Sequence, residues 1–321
     1  MKDFSGPFSH HIKSYLDLRR SLGFVYEDAE LYLYDFDKYL KKYFSKAKTV
    51  TRDMVVSYLK TTSHLSSATR NGRVTILRQF LRFLFQYNTN TYIPEKSLVP
   101  SCRTELKPHI YSKEEVLRIM EAAKKFSTPA SLRPHTYVTI IGLLWVTGLR
   151  IGEVVRLNDE DADIERRILH IKQTKFNKSR IVPISSSTAN AMELYRAKRN
   201  SFCSTCSRGS PFFVNMWKKR LLTSNIQHTY HDLMANLDMR TLQGGYPRLH
   251  DYRHTFATRW LADIYRSGKD PNAYLPIVAT YLGHTNISST QVYLHMSIDL
   301  LSNAGEKTKK YIDSNFKGVL R

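Results

Sequence analysis

Three prolines, at positions 94, 100 and 108, punctuate the stretch from Asn88 to Tyr111. Proline gives no N–H to a helix or a ladder and turns the residue before it away from the helical region. The stretch therefore reads as a linker, and a chain with helical periodicity on both sides of it must fold as two bodies. It ends at Ser112-Lys-Glu-Glu115, a capping box that opens a new helix. We expect residues 1–108 to form an N-terminal domain with its linker and residues 109–321 a C-terminal domain. At 321 residues the chain is long enough to bury two cores.

Before the linker, apolar residues recur three and four apart, as on helices. Phe36, Tyr39, Leu40 and Tyr43 make one such face; Val74, Leu77, Phe80, Leu81, Leu84 and Phe85 make another, within Ala68 to Tyr87. The far side of that last helix carries Arg70, Arg73, Arg78 and Arg82 with no acid between them, which suits contact with a phosphate backbone. After the linker, Val138 to Val146 reads as a core helix. Ile164 to Ile171 and Arg180 to Ile184 read as two short strands, joined by a polar, basic excursion from Gln173 to Ser179. From Ser187 onward the pattern is mainly helical. The fold class is thus mainly α with a small antiparallel β-sheet.

Charge narrows the function. Lys and Arg number 49 against 28 acids, a formal net of +21. Up to Pro108 the count is 18 basic and 10 acidic residues, +8; the remainder has 31 and 18, +13. Uncompensated charge of this size raises the energy of the compact state, so a polyanionic partner is expected on both halves. A membrane surface fits poorly, since its basic residues belong on one amphipathic helix. No apolar run approaches the ~20 residues of a membrane span, the N-terminus has no signal-peptide core, and a cytoplasmic location is expected. Of the three cysteines, Cys203 and Cys206 form a C-x-x-C, yet no second pair stands at zinc spacing and Cys102 is remote. They read as reduced thiols, and no metal or cofactor is called for.

Four segments hold chemistry. In Thr147-Gly-Leu-Arg150-Ile-Gly-Glu153, an arginine behind a core helix is costly to bury without a carboxylate or phosphate. A structural pair with Glu153 and a functional role stand level there. Lys172 to Arg180 lies at the tip of the two-stranded excursion, where lysines taken alone are simply exposed. In His250-Asp-Tyr-Arg253-His254, three and four residues make about one turn, so His250, Arg253 and His254 share a face. H-x-x-x-H suggests zinc, but an arginine on the same face disfavours a dication and favours an anion. The fourth segment runs Leu282-Gly-His284 and onward to Tyr293. One tyrosine among 20 would ordinarily be a packed aromatic; its place behind a Gly-His pair and a short Ser/Thr-capped helix sets it apart.

Together these segments resemble the tyrosine recombinase (phage-type integrase) family over roughly residues 112–300. Its pattern is T-G-L-R-x-x-E, a hairpin lysine, H-x-x-R, and L-G-H with a tyrosine nine residues later. Here it falls in order on Arg150, Lys175, His250, Arg253, His284 and Tyr293. Lys175 is preferred to Lys172 and Lys178 because K-x-N-K-x-R-x-V-P lines up with Lys175, Asn177, Lys178, Arg180, Val182 and Pro183. The N-terminal region is similar to the family's helical core-binding domain. The segment between Thr258 and Leu282 is longer than in the Xer resolvases and is similar to recombinases of transposons and other mobile elements.

The resemblance implies a two-domain architecture that clamps double-stranded DNA, a helical core-binding domain plus a mixed α/β catalytic domain. It implies a homotetramer on specific sites, strand exchange through a Holliday junction, and accessory DNA-bending or directionality proteins as further partners. It makes Tyr293 the nucleophile, Arg150, Arg253 and His284 the phosphate donors, His250 the base and Lys175 the acid, with neither ATP nor metal. The tail from Ser302 to Arg321 would either dock on a neighbouring protomer or end frayed. Competing readings are Xer-like resolution, relaxation of the type IB topoisomerase kind, and a DNA-bending protein without catalysis.

Overall fold

The computed structural model describes residues 2–24, 26–99, 107–126, 131–172, 179–203, 209–283 and 290–294. The chain divides into two compact units, Met1–Glu105 and Leu106–Arg321.

Among its described residues the first unit contains four α-helices, α1 (Ser9–Ser21), α2 (Glu27–Tyr43), α3 (Arg52–Thr61) and α4 (Ser67–Phe85). Thr51 and Ser66 cap α3 and α4 by accepting from the N–H groups of Met54 and Thr69. The α4 stripe of Val74, Leu77, Phe80, Leu81 and Leu84 is buried in one core with Leu16, Phe36, Leu40 and Val55. Phe85 and Tyr43, expected on these stripes, are exposed instead. Neighbouring positions on a helix lie 100° apart, so Leu84 takes the inner place and Phe85 turns outward. Tyr43 ends α2, tilted against Tyr39. The arginine face also changes in one respect: Arg73 pairs with Asp35 at 3.1 Å and donates to the Tyr58 hydroxyl at 3.2 Å. Its acid comes from α2, a neighbour that inspection of one helix cannot supply.

The second unit begins with α5 (Lys113–Lys124), opened by the capping box: Glu115 N–H donates to Ser112 Oγ at 3.1 Å and Ser112 N–H to Glu115 Oε2 at 2.8 Å. Next come α6 (Arg133–Thr147) and the six-residue α7 (Ile151–Arg156). Ile140, Ile141, Leu143 and Leu144 of α6 lie in the main core of this unit, while Val146 faces out. A three-stranded antiparallel sheet follows in the order β1 (Ala162–Asp163), β2 (Ile168–Ile171) and β3 (Arg180–Pro183), with Leu169 opposite both Ala162 and Val182. The single strand expected over Ile164 to Ile171 is therefore broken. Asp163 accepts from the Arg166 N–H and Arg167 adopts a φ of 56°, which turns the chain before β2 begins. Among the described residues four helices follow, α8 (Ser186–Phe202), α9 (Thr223–Asn236), α10 (Asp251–Arg266) and α11 (Pro271–Leu282), with a further helical turn at 290–294.

Candidate active site

The end of α6 sets the first group. Gly148 stops the helix at a φ of 61°, and a Cβ there would lie 2.7 Å from the Phe256 ring. The chain turns so that Arg150 caps α7, its N–H donating to Glu153 Oε2 and its guanidinium to Oε1, each at 3.0 Å. Glu153 is not Arg150's alone. From β3, Arg180 approaches it with both terminal nitrogens, at 3.0 and 2.9 Å. Burial by itself would push the Glu153 carboxyl up; the hydrogen bonds and charge of Arg180, and then those of Arg150, outweigh it and hold the group down at about 2. Its side chain is 1% exposed. The carboxylate thus serves as the structural pivot for two arginines, while Arg150 keeps 28% of its side chain open.

Arg253 is held differently. It lies in the first turn of α10 and donates to two main-chain oxygens, Gly148 at 3.1 Å and Leu282 at 2.5 Å. Both carbonyls end helices, α6 and α11, where the partial negative charge of the helix dipole favours a cation. Gly283 ends α11 at a φ of 69°, and a Cβ on it would sit 2.8 Å from Arg180. Arg180 in turn donates through Nε to the Tyr281 carbonyl at 2.8 Å. Burial, and after it the Arg150 charge, brings the Arg253 guanidinium down to about 10, still protonated at neutral pH.

Tyr293 meets this cluster from the helical turn at 290–294. It is 3% exposed and packed with Ala257, Leu261, Leu275, Val278 and Leu282. Burial raises the hydroxyl's pKa, against the opposing pull of Arg253 and Arg150. His250 immediately precedes α10; burial, then Arg253, lower its pKa, so its imidazole is neutral at pH 7. His254 neighbours both, its ring centroid 4.9 Å from that of His250 and 5.4 Å from that of Tyr293.

The base of α10 is fixed by a layer the sequence did not announce. Tyr111 stacks on Tyr252 at 4.3 Å, shares a hydrogen bond with the Tyr230 hydroxyl at 2.8 Å and donates to the Arg248 carbonyl at 3.1 Å. Its N–H donates to Thr255 Oγ1 at 3.0 Å.

Of the six expected site residues, the structure gathers Arg150, His250, Arg253 and Tyr293. Lys175 and His284 lie outside the described residues, as do Cys102, Cys206 and the tail from Ser302. Cys203 is buried. Among the described residues no group of three or more His, Cys, Asp or Glu side chains could hold a metal, and no helix is long and apolar enough to cross a membrane. Arg180 was given no role by its place in the hairpin pattern. Its signal was period two: it lies on the same inward face of β3 as the buried Val182.

Residues 110–298 match the phage integrase family. The chain belongs to that family. Integrases of this kind are tyrosine recombinases, enzymes that break and rejoin DNA. Over 307 residues the chain is 33% identical to y4rB of Sinorhizobium fredii, a protein whose integrase/recombinase role is itself an assignment; the match spans 94% of this chain and 97% of that one. The tyrosine recombinase XerC of Chlamydia trachomatis serovar L2 is 29% identical over 80% of this chain and 77% of its own. Among solved structures, the Tn1549 transposon integrase in complex with a circular intermediate DNA shares the fold, with a TM-score of 0.63 at 18% identity over 88% of this integrase and 94% of that chain.

Proposed function

We propose that this integrase is a site-specific DNA recombinase that uses Tyr293 to break a phosphodiester. The observation that carries the reading is the buried Tyr293 packed in one cluster with Leu282, whose carbonyl takes the Arg253 guanidinium, so that the charges of Arg253 and Arg150 act on its hydroxyl. The Tyr293 oxygen attacks phosphorus and gives up its proton to His250, whose neutral state suits it to accept. The bond from phosphorus to the 5′ oxygen breaks, and Lys175 protonates that oxygen. A 3′-phosphotyrosyl link and a free 5′-hydroxyl result. Arg150 and Arg253, aided by His284, bear the added negative charge of the pentacovalent state, where one fixed donor is worth roughly 2.7–4 kcal/mol. The covalent link keeps the phosphodiester energy, so a partner strand's 5′-hydroxyl rejoins the backbone by the reverse steps.

The substrate is double-stranded DNA carrying specific sites, and the first unit serves as the core-binding half. Four protomers exchange strands pairwise through a Holliday junction, in the integration, excision or transposition of a mobile element. That role is supported by the fold shared with a transposon integrase and by the length of the segment before Leu282.

The test uses DNA nicked close to the cleavage position, so that the released strand diffuses away and the covalent complex accumulates. Wild type yields an adduct that survives SDS, and Tyr293→Phe yields none while still binding the DNA. An adduct in both would assign the nucleophile to another tyrosine. Tight binding with no adduct in either would sink the catalytic reading.

A further inference from the structure

Arg180 has no part in the chemistry just described, yet it joins the two arginines that do. From β3 its terminal nitrogens donate to the two oxygens of Glu153, at 3.0 and 2.9 Å, and its Nε donates to the Tyr281 carbonyl at 2.8 Å. The first acceptor is the carboxylate that takes the Arg150 guanidinium at 3.0 Å. The second belongs to the residue before Leu282, whose own carbonyl takes Arg253. The turn that follows is fitted to the same group: a Cβ on Gly283 would lie 2.8 Å from Arg180 Nη1. One guanidinium thus ties α7, β3 and the end of α11 together. Planar and forked, it directs donors along fixed lines to a carboxylate and a carbonyl at once, which the point charge of a lysine cannot do.

We propose that Arg180 is a positioning residue for the phosphate-binding arginines, holding Arg150 through Glu153 and Arg253 through the end of α11. The proposal rests on Arg150 and Arg253 being the groups that bear the phosphate charge. Arg180 works through them rather than on the DNA. Its side chain is 11% exposed against 28% for Arg150, and all three of its nitrogens donate to protein acceptors. It also sets the charge of the site. Glu153 facing Arg150 alone would make a neutral pair, whereas two guanidiniums on one carboxylate leave a positive charge for the phosphate. Geometry matters as much, since a misplacement of about 1 Å can cost on the order of 100-fold in rate.

The experiment measures single-turnover adduct formation on nicked DNA for wild type, Arg180→Lys, Arg180→Gln and Arg150→Ala, with DNA affinity and thermal midpoint measured alongside. Each protein is run on an ordinary scissile phosphate and on a methylphosphonate, in which a methyl group replaces one non-bridging oxygen and removes the negative charge. Lysine keeps the charge of Arg180 and loses its fork; glutamine loses both. On the phosphate the two Arg180 variants fall roughly 100-fold at unchanged DNA affinity, the scale of one misplaced donor. On the methylphosphonate less charge develops for the arginines to meet, and the gap to wild type closes to within about tenfold, as it does for Arg150→Ala. A packing defect slows both substrates alike; that outcome would overturn the proposal, as would a wild-type rate on the phosphate in either Arg180 variant. If both variants unfold, Gly283→Ala, which crowds Nη1 and leaves the guanidinium in the chain, carries the same comparison. Arg150→Ala and Tyr293→Phe run as parent controls: full rate in the first or an adduct in the second removes the premise, whatever the Arg180 variants do.

Discussion

Replacing Glu153 with glutamine keeps the shape of the side chain and removes the one negative charge between Arg150 and Arg180. The magnitude follows from the structure. The carboxyl is displaced from 4.5 to about 2, each pH unit is worth about 1.36 kcal/mol, and the charged form therefore contributes about 3 kcal/mol to the folded state. That agrees with the roughly 3–5 kcal/mol expected when one partner of a buried ion pair is removed. A carboxyl whose pKa is lowered by folding stabilises fully above its unfolded value, near 4.5, and the contribution fades as the pH drops toward 2. The assay is urea unfolding followed by tryptophan fluorescence. Trp145, Trp217 and Trp260, the three tryptophans of the chain, all lie in the second unit, so the signal reports that unit alone. Glu153→Gln should lose about 3 kcal/mol at pH 7, with the gap to wild type narrowing below pH 4.5. Equal stability at pH 7, or a gap that does not change with pH, would refute the assignment of Glu153 as a charged pivot.

Gly148→Ala places a Cβ on a backbone with a φ of 61° and against Phe256; we expect a loss of about 1–3 kcal/mol by the same fluorescence assay, with slower adduct formation because the Gly148 carbonyl anchors Arg253. Tyr111→Phe deletes one buried hydroxyl bonded to Tyr230 and to the Arg248 carbonyl; unfolding should show a loss of about 1–3 kcal/mol, and a neutral result would mean that the tyrosine layer does not fix the base of α10.

Local signals carried a good part of this fold. The Ser112–Glu115 capping box, the α4 stripe and the β-branched runs gave a mainly helical chain with a small antiparallel sheet, because caps and periods are written in neighbouring residues. What stayed hidden depends on distant partners. Arg180 and Glu153 are 27 positions apart, Tyr111 and Thr255 are 144 apart, and neither pair has a spacing that declares it. Asp35 neutralises Arg73 from another helix for the same reason. The turn before β2 was missed because Ile164 has strand character while Asp163 and Arg167 decide the path. At the site, four of the residues named from their order along the chain, Arg150, His250, Arg253 and Tyr293, are gathered, but the sequence could not say that Arg253 is held by carbonyls rather than by an acid.

That last feature bears on how such an enzyme could change over time. An arginine seated on a carboxylate is lost when the carboxylate mutates, and a recombinase that adapts to new DNA sites changes many side chains. Arg253 leans on the main chain of Gly148 and Leu282, atoms that every substitution leaves in place so long as the two helices end where they do. Surface side chains can then be rewritten for a new target while the position of this guanidinium is inherited unaltered, its sensitivity to drift concentrated in Gly148 and Gly283, the two glycines that end those helices.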